Sequence, residues 1–488
     1  MSIRTGDQYL DSLKDSREII YEGKAVDVTT HPDFVGASQA VAQYYDFQNL
    51  PAVREVMTYQ TEDGQTAATS FLEARSKADL WRRSAAYAAW AEVTCGFMSR
   101  SPDYMNTAMA SLASVSARLA AVDPKIAVTS RRLYEAARAG DTCLTHTFAD
   151  PFKMPVPEAG DPDTLLKVVR ETSDGIYVSG KRGIATLAPF SNANMNLGAI
   201  RAPRWGGGSG ACSFIVPVGA KGTRWICRDA MTTGRPHYSS PLTDRADEFD
   251  CVAVFDECFI PFDDLYVYLT GPDAQAAGIF AEKSLTSLRH HTIVRFIEKT
   301  KFFIGLGHLL AESSRINRFV NITERLGEMV NILRTMESFA IAAVEGAERD
   351  PDTGVYMPQL NATKAATRWC GVYYQRMIAI ILELGASRYI STPQEATFDA
   401  LGEAIEKHFR GATLNGKDNV ALHKLAWDVA GTEFATRQCL YEKFHFGDWS
   451  QGLVHEYAAY NKEQAIGMVR RLLSHPAQGR ERFPVTGA

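Results

Sequence analysis

The sequence lacks several features that mark particular classes of protein. Its 8 cysteines are scattered without any CxxC spacing, so neither a zinc ribbon nor a disulfide framework is indicated, and we expect buried thiols in a reducing compartment. No uncharged apolar run approaches the roughly 20 residues that a membrane-spanning helix requires. With 52 Lys and Arg against 57 Asp and Glu, the net charge of -5 provides no basic field for a nucleic acid. We therefore expect a cytoplasmic protein without a nucleic-acid or membrane partner.

The motifs of several enzyme classes are also missing. There is no Walker loop and no GxSxG elbow. His290 and His291 are adjacent and would point about 100° apart on a helix, and no HExxH or carboxylate set accompanies them, so no metal site is predicted. Residues 206–211 fit a degenerate GxGxxG/A pattern, but a strand-like segment follows where dinucleotide binding needs a helix. We expect a mobile loop between two strands there.

The hydrophobic patterns change twice along the chain. Residues 37–139 are alanine-rich and amphipathic with helical spacing, whereas residues 144–269 contain short β-branched and aromatic runs between Gly, Pro, Asn and Asp. Helical spacing returns from about Ser284, and one apolar face is formed by Leu326, Met329, Val330, Leu333 and Met336. This order predicts an α+β fold rather than an alternating βα one. The predicted parts are an N-terminal helical domain (1–143), a central antiparallel β-barrel (144–275), a C-terminal helical bundle (276–473) and a polar tail (474–488).

Three polar residues near the first of these boundaries are candidates for chemistry. Arg100 and Tyr104 lie four residues apart, so on a helix both would project from one face, although Pro102 favours a helix start between them. His146 lies where the helical region gives way to strands, and such junctions often form ligand clefts. An exposed arginine stacked on a tyrosine and a structural histidine are the alternative interpretations. Alone, these residues support only a large cytoplasmic α+β enzyme of unknown cofactor.

Several segments together resemble one enzyme family. They are RTGDQYLDSL, DVTTHPDF, RSPDYMN, LTHTF, SGKRGIATLAPFSN, VFDECFIPFDDLYVY, RHHTIVRFIEKTKFFIGLG and GTEFATRQCLYEKFHFGDW. In combination they are similar to the large, oxygenase component of 4-hydroxyphenylacetate 3-monooxygenase, a family of two-component, FADH2-dependent aromatic hydroxylases. The likeness runs from Arg4 to about Asp448.

The resemblance implies an acyl-CoA dehydrogenase-like fold that assembles as a homotetramer through its C-terminal bundle. It implies that FAD is diffusible and arrives reduced from a separate NAD(P)H:flavin reductase, forms a C4a-hydroperoxide with molecular oxygen, and hydroxylates a phenol ortho to its hydroxyl. Arg100, Tyr104 and His146 match the family's trio around that hydroxyl. His146 would act as base or hydrogen-bond partner, Arg100 would stabilise the phenolate, and Tyr104 would orient it.

The resemblance also assigns residues to the flavin. Thr186 matches a position whose hydroxyl and backbone contact the isoalloxazine. The family's segment after the histidine is often rich in Asn, Gln, Asp and Arg, whereas residues 148–153 read FADPFK here and depart from that pattern. The segment that closes over the flavin is matched by Gly431, Thr432, Glu433 and Phe434, with Arg437 nearby.

The loop RAPRWGGGSG, residues 201–210, occupies the place where the family folds a lid over the substrate tail. In relatives that hold phenylacetates, this loop offers hydroxyl-bearing or backbone groups to the carboxylate. Here it carries Arg201, Arg204 and Trp205. We hypothesise that Arg204 binds a substrate acid, with Trp205 beside it, or that the glycines open the pocket for an amino acid or a carrier-bound phenol. The alternative is a pair of solvated arginines.

Three competing interpretations use the same fold. A 4-hydroxybutyryl-CoA dehydratase would need cysteine and histidine ligands for an iron-sulfur cluster. Cys95 is near one ligand position, but Ser99 occupies the place of its companion cysteine. Glu298 occupies the place of the ligand expected after His291. An acyl-CoA dehydrogenase would hold FAD tightly and use a carboxylate base. A non-catalytic assembly protein would not need the three candidate residues.

Overall fold

Long helices precede and follow a block of short strands, in the order that the hydrophobic patterns predict. The structure is a computed structural model and describes residues 3–149, 164–232, 234 and 236–474. Within these ranges the helices are α1 (Gly6–Ser12), α2 (Pro32–Phe47), α3 (Arg54–Met57), α4 (Lys77–Val93), α5 (Pro102–Leu119), α6 (Pro124–Gly140), α7 (Thr243–Ala246), α8 (Gly271–Ser313), α9 (Val320–Glu345), α10 (Leu360–Gly385), α11 (Glu395–Leu401), α12 (Glu403–Glu406), α13 (Gly416–Ala430), α14 (Glu433–Phe444), α15 (Trp449–Ala459) and α16 (Glu463–Ser474).

The strands between them are short. They are β1 (Ile19–Tyr21), β2 (Lys24–Ala25), β3 (Thr58–Gln60), β4 (Thr66–Ala68), β5 (Leu144–Thr147), β6 (Lys167–Glu171), β7 (Gly175–Thr186), β8 (Ala193–Asn196), β9 (Ala199–Arg201), β10 (Ser209–Pro217), β11 (Thr223–Cys227), β12 (Asp250–Pro261), β13 (Leu265–Leu269), β14 (Glu348–Arg349) and β15 (Tyr356–Met357).

One large sheet contains most of these strands. Among the described residues it has 11 strands in the order β2-β1-β11-β12-β7-β6-β9-β10-β8-β5, with β13 also paired to β10. The prediction of an antiparallel sheet was wrong in one respect, because three pairs are parallel: β1 with β11, β5 with β8, and β6 with β9. Strand periodicity reveals which face is buried but not which partner is chosen, so pairing directions between remote segments could not be derived from it.

The N-terminal region contains strands that the sequence patterns did not reveal. β1 and β2 add to the large sheet, with Ile19 opposite Trp225, while β3 and β4 form a separate hairpin. Each of these strands has two or three residues, too few for a period of two to be recognised. The helices predicted within residues 37–139 are present as the C-terminal part of α2, and as α4, α5 and α6.

The C-terminal region is helical, as predicted, but its first helix begins earlier. α8 starts at Gly271, and Pro272 occupies its first turn, where a missing N–H costs nothing. The predicted apolar face of α9 is buried at Met329 and Met336, whereas Val330 is 39% exposed.

Among the described residues, no helix is both long and apolar enough to span a membrane. Residues 475–488 of the predicted tail lie outside the described residues.

A hydrophobic cluster lies between α5, α6, β5, β13 and the middle of α8. It contains Tyr104, Leu144, Val267 and Leu288. These residues come from the helices before the strands, from the strands themselves and from the helix that follows them. α5 alone contacts α6, α8 and β5 extensively, so its position is fixed on three sides. This packing determines where the first candidate residues lie.

Candidate active site

Arg100 and Tyr104 meet at the beginning of α5. Arg100 precedes the helix, Ser101 is its N-cap residue, and Pro102 occupies the first turn. The two residues therefore do not share a helical face, because the helix begins between them. Their side chains nevertheless contact each other: the guanidinium carbon of Arg100 lies 4.2 Å from the centre of the Tyr104 ring. This is a favourable cation–π distance.

His146 lies on β5 beside the same tyrosine. Its ring centre is 6.1 Å from that of Tyr104, with 28° between the planes, and 5.5 Å from that of Phe148, with 3° between the planes. β5 is held in place by parallel pairing with β8, where His146 stands opposite Met195. The three residues singled out in the sequence span 46 positions, from Arg100 to His146, and are thus assembled around Tyr104.

Tyr104 and His146 line a cavity of about 610 Å³. Arg100 is not among its described lining residues, and it reaches the cavity wall through its contact with Tyr104. The remaining wall is largely apolar, with side chains from α5, β8, β13 and α8. A cavity of this size and character is typical of a site for a small organic molecule.

The guanidinium of Arg100 is buried, and no carboxylate of the described residues forms an ion pair with it. The residue is 5% exposed, and its Nε and Nη1 have no hydrogen-bond acceptor among the described residues. Burial alone would lower the pKa of Arg100, but Tyr104, Tyr441 and Glu248 raise it above its ordinary value, so the group stays charged. An unpaired buried cation is costly, and it is stabilised when a ligand supplies an anionic oxygen.

His146 is a neutral imidazole in this environment. Burial, followed by the charge of Arg100 and the proximity of His445, holds the pKa of His146 well below its ordinary value. Its Nδ1 is buried and has no hydrogen-bond partner among the described residues. A neutral imidazole can accept a hydrogen bond or a proton, which an imidazolium cannot. The neutral His146 and the charged Arg100 together suit a ligand whose hydroxyl group becomes an oxyanion.

Two further residues of the site, Tyr441 and His445, were not identified from the sequence. The guanidinium carbon of Arg100 lies 5.2 Å from the ring centre of Tyr441, whose ring stacks on that of His445 at 4.5 Å. His445 and Phe446 also line the cavity. A sequence signal for them existed, because Tyr441 and His445 are four residues apart in one of the segments that carry the resemblance. Tyr441 lies on α14 and His445 directly follows that helix, so their side chains lie on the same face.

A buried ionic cluster fixes α14 against α8. Glu442 accepts hydrogen bonds from Arg295 at 2.8 and 2.9 Å and from Lys299 at 2.8 Å. All three side chains are at most 2% exposed. Burial would raise the pKa of Glu442, but Arg295 and Lys299 hold it well below its ordinary value. Because Glu442 follows Tyr441 directly, this cluster also sets the position of the tyrosine that contacts Arg100.

The residues assigned to the flavin by resemblance fall partly into one hydrogen-bonded group. Thr186, at the end of β7, donates a 2.7 Å hydrogen bond to Asp250, which also accepts from Arg437 at 2.8 and 3.0 Å. Arg437 donates to Glu248 at 3.0 Å, and Glu248 accepts the backbone N–H of Arg100. Thr186 and Arg437 are therefore connected to the start of α5 through two carboxylates.

The turn between α13 and α14 contains the other residues assigned to the flavin. Thr432 is the N-cap residue of α14 and accepts a hydrogen bond from the N–H of Ala435, and Glu433 is exposed in the first turn. Phe434 is 1% exposed and packs against Phe97 at 5.8 Å, which is the position of a core residue. Gly431 is needed at this turn, since a Cβ there would lie 2.3 Å from the Trp427 ring.

The loop between β9 and β10 places Arg204 and Trp205 away from the described cavity wall. Arg204 Nε lies 3.8 Å from Glu171 Oε2, and its guanidinium carbon lies 5.0 Å from the Tyr268 ring centre. Trp205 contacts the same tyrosine at 4.8 Å and covers Gly210, where a Cβ would meet its ring at 2.6 Å. Ser209 and Gly210, rather than Arg204 or Trp205, line the cavity. Residues 150–153 of the segment after His146 lie outside the described residues.

His290 and His291 point to different partners, as expected of neighbours on a helix. His290 Nε2 lies 3.0 Å from the hydroxyl of Ser84, and His291 Nε2 lies 2.9 Å from Asp103. The ring of His291 packs edge-on against that of Tyr104 at 5.4 Å. His291 and Asp103 thus support the candidate site from behind Tyr104.

Comparison with known proteins identifies the same family across nearly the whole chain. The model of the 4-hydroxyphenylacetate 3-hydroxylase N terminal matches residues 5–267, and the model of its C terminal matches residues 277–474. The chain is 33% identical to the 4-hydroxyphenylacetate 3-monooxygenase oxygenase component of Thermus thermophilus, over 96% of this chain and 97% of that protein. It is 30% identical to the oxygenase component of a 4-nitrophenol 2-monooxygenase from Rhodococcus, over 99% and 93% respectively.

Solved structures agree with this assignment. The oxygenase component of 4-hydroxyphenylacetate 3-monooxygenase, complexed with FAD and 4-hydroxyphenylacetate, matches with a TM-score of 0.89 and 32% identity, over 96% of this chain and 98% of that one. A 4-hydroxybutyryl-CoA dehydratase from N. maritimus has a TM-score of 0.84 but 17% identity, over 100% and 98%, which shows a shared fold alone. The resemblance found in the sequence is confirmed, and the chain belongs to the 4-hydroxyphenylacetate 3-hydroxylase family.

Proposed function

We propose that the protein is the oxygenase component of a two-component, FAD-dependent aromatic monooxygenase that hydroxylates a phenol ortho to its hydroxyl. The observation that carries this proposal is the buried, charged Arg100 with two N–H groups lacking acceptors, beside Tyr104 and a neutral His146. A phenolate oxygen is the ligand that satisfies this combination. The family membership supports the reaction type.

Arg100, Tyr104 and His146 act on the phenol hydroxyl. His146 accepts the hydrogen bond, and then the proton, of that hydroxyl. Arg100 donates N–H groups to the oxygen as it becomes anionic, and its positive charge lowers the pKa of the bound phenol. Tyr104 holds the guanidinium in place and orients the oxygen between the two. The negative charge generated in this way makes the ring carbon next to the hydroxyl electron-rich, which is the requirement for attack on an electrophilic oxygen.

When reduced FAD is bound, it would react with molecular oxygen to supply the electrophilic oxygen atom. The residues that would hold it are Thr186 and Arg437, with the turn from Gly431 to Phe434. Their fit is supported by the hydrogen bonds that join Thr186, Asp250, Arg437 and Glu248 to the backbone of Arg100, because a cofactor there would adjoin the substrate hydroxyl. The hydroxyl of Thr186 donates to Asp250, so its lone pairs remain for an N–H of the ligand. Phe434 would contribute its backbone, since its side chain is in the core.

The assembly and the detailed fold are part of the same proposal. We infer a homotetramer formed through the C-terminal helices, supported by exposed apolar side chains on α15 and α16, namely Val454 at 57%, Tyr457 at 71%, Leu472 at 57% and Leu473 at 82%. We also infer that the sheet curves toward a barrel in an acyl-CoA dehydrogenase-like arrangement, supported by the order of helices, strands and helices. A separate NAD(P)H:flavin reductase would supply the reduced FAD.

The test is an assay with a flavin reductase, NADH, FAD and a panel of phenols, in which mass spectrometry detects the addition of one oxygen atom. We expect a catechol product that depends on the protein and on the reductase. The matched variants are Arg100→Met and the exposed-site control Arg334→Met, and only the first should lose the product. If the protein binds reduced FAD but no phenol gains oxygen, the proposal is wrong.

A further inference from the structure

We infer that the substrate is a phenol whose para substituent is long, uncharged and apolar. This inference rests on the proposed function, because it takes the phenol hydroxyl to lie at Tyr104 and His146. It concerns the rest of the cavity, which extends well beyond these two residues. Three features support it: the length of the cavity along α5, the chemistry of its wall, and the positions of the nearest cations.

The cavity follows one face of α5 for most of that helix. Apart from Met105, its lining residues there are Tyr104, Ala108, Leu112, Val115 and Leu119. They are separated by four, four, three and four positions, which is the spacing of a single helical face. At about 1.5 Å per residue, the distance along the helix axis from Tyr104 to Leu119 is roughly 22 Å. A phenol with a carboxymethyl group is far shorter than this face. Because the face leads away from Tyr104, the substituent that follows it points away from the hydroxyl, which is the para direction.

Outside α5 the wall contains both apolar and polar residues, and the polar ones besides the two histidines are Ser209, Ser213, Tyr266 and Gln275. The apolar residues include Leu285 and Leu288 of α8, Met195 of β8 and Val267 of β13. Among the described lining residues there is no Lys, Arg, Asp or Glu, and the two histidines have pKa values held well below the ordinary value by burial. A carboxylate in such surroundings would lose its hydration without gaining a counter-ion. An alkyl, alkenyl or aryl chain would instead be stabilised there by removal from water.

Apart from Arg100 at the hydroxyl end, two described arginines close to this wall, Arg204 and Arg289, each lie near a carboxylate. Arg204, the candidate ligand for a substrate acid, lies 3.8 Å from Glu171 on the outside of the β9–β10 loop. Arg289 lies 5.4 Å from the ring centre of the cavity residue Phe446 and 3.5 Å from Glu282, and its Nη1 is buried without a hydrogen-bond acceptor among the described residues. Neither arginine lines the cavity in this structure. A carboxylate tail would therefore find neither guanidinium on the cavity wall.

The experiment compares two matched series of ligands. The first is 4-ethyl-, 4-propyl-, 4-butyl- and 4-pentylphenol, and the second is 4-hydroxyphenylacetate and 3-(4-hydroxyphenyl)propanoate. Dissociation constants are measured by calorimetry on the full chain without flavin, and kcat/KM is measured with reductase, NADH and FAD. We expect affinity and kcat/KM to rise about fourfold for each added methylene, which is the value for full burial of a methylene group. The carboxylates should bind at least about tenfold more weakly than alkylphenols of similar length.

Two variants of α5 make the test independent of the ligand series. Leu112→Arg places a cation on the lining face and should reverse the preference, so that the carboxylates bind more tightly than the alkylphenols. Ala117→Arg adds the same charge at an exposed position of the same helix, outside the lining face, and should leave the preference unchanged. Arg289→Met should also leave the affinity for the carboxylates unchanged.

The outcomes separate this inference from the proposed function. Hydroxylation with a flat chain-length dependence, or with preferred carboxylates, overturns the inference and leaves the proposed function standing. Loss of carboxylate binding in Arg289→Met overturns it as well and assigns that arginine to the substrate. Binding that rises with chain length without transfer of oxygen to any phenol supports the apolar channel and overturns the proposed function.

Discussion

The guanidinium of Arg100 packs on the ring of Tyr104 at 4.2 Å, and none of the carboxylates in the described part of the chain forms an ion pair with it. Glu248 is close, but it accepts the backbone N–H of Arg100 rather than its side chain. In most buried positions an arginine without a carboxylate would be selected against, because its desolvation is not compensated. Its presence against Tyr104, which lines the cavity, is explained when a bound phenolate completes the charge pair.

Replacement of Arg100 therefore separates activity from stability. In Arg100→Met we expect kcat/KM to fall at least about 100-fold, because a charged donor to the developing oxyanion is lost. The free energy of unfolding should change by less than about 1 kcal/mol, since no ion pair of the described residues is broken and the cost of burying a charge is removed. Steady-state kinetics and urea unfolding measure the two quantities. A loss of stability that parallels the loss of activity would assign a structural role to Arg100 instead.

The buried histidines make stability depend on pH. His146 has a folded-state pKa well below the 6.5 of an unfolded chain, because burial disfavours the imidazolium. Below pH 6.5 the unfolded state binds more protons than the folded state, so stability falls as the pH decreases through this range and is retained above it. His146→Asn should flatten the decrease by up to about 1.4 kcal/mol per pH unit. The control is His455→Asn at an exposed position, and equal slopes for the two variants would contradict the prediction.

The ionic cluster beneath Tyr441 should be sensitive to loss of its single carboxylate. Glu442→Gln leaves Arg295 and Lys299 buried without a counter-charge, and we expect the free energy of unfolding to fall by about 3–5 kcal/mol. The matched control is Glu337→Gln, which removes the partner of the exposed Arg334 and should cost at most about 1 kcal/mol. Urea denaturation of both variants checks this, and similar losses would mean that the buried cluster is not important for stability.

Thr186 allows a test of the flavin position that does not depend on turnover. In Thr186→Val the hydrogen bond to Asp250 is lost, together with the hydroxyl proposed to face the cofactor. We expect the dissociation constant for reduced FAD, measured by anaerobic titration, to rise about tenfold. Thr223→Val removes a hydroxyl that is also buried and hydrogen-bonded, but to the backbone of Val218 and Ala220. If both variants bind FAD equally, Thr186 does not contact it.

Much of the fold could be predicted from the sequence, because periodicity reports which faces are buried. The order of helices, strands and helices followed from the change between spacings of three to four residues and spacings of two. The parallel pairing of β1 with β11 could not be predicted, because it joins Ile19 to Trp225 and depends on the complete fold. The early start of α8 was missed since Gly271 and Pro272 resemble a turn, although Pro is also favoured in the first turn of a helix.

The candidate site was predicted less completely. Arg100, Tyr104 and His146 were named, but the helical spacing offered for the first two does not apply, because α5 begins at Pro102. Tyr441 and His445 were missed as site residues, since a chain distance of about 300 residues carries no information on contact with His146. The location of Arg204 beside Glu171 depends on the β9–β10 loop and on Trp205 packing over Gly210, which no local pattern encodes.

The most direct test of the account is a single-turnover experiment with labelled oxygen. Protein, reduced FAD and an alkylphenol are mixed anaerobically and then with ¹⁸O2, and the labelled catechol formed per protein chain is measured for wild type, Arg100→Met and His146→Asn. The account predicts a catechol carrying one labelled oxygen from the wild type and a large loss of it in both variants, with FAD binding preserved. Unlabelled or absent catechol from the wild type, or full yield from either variant, would contradict the claim that these two residues generate the phenolate.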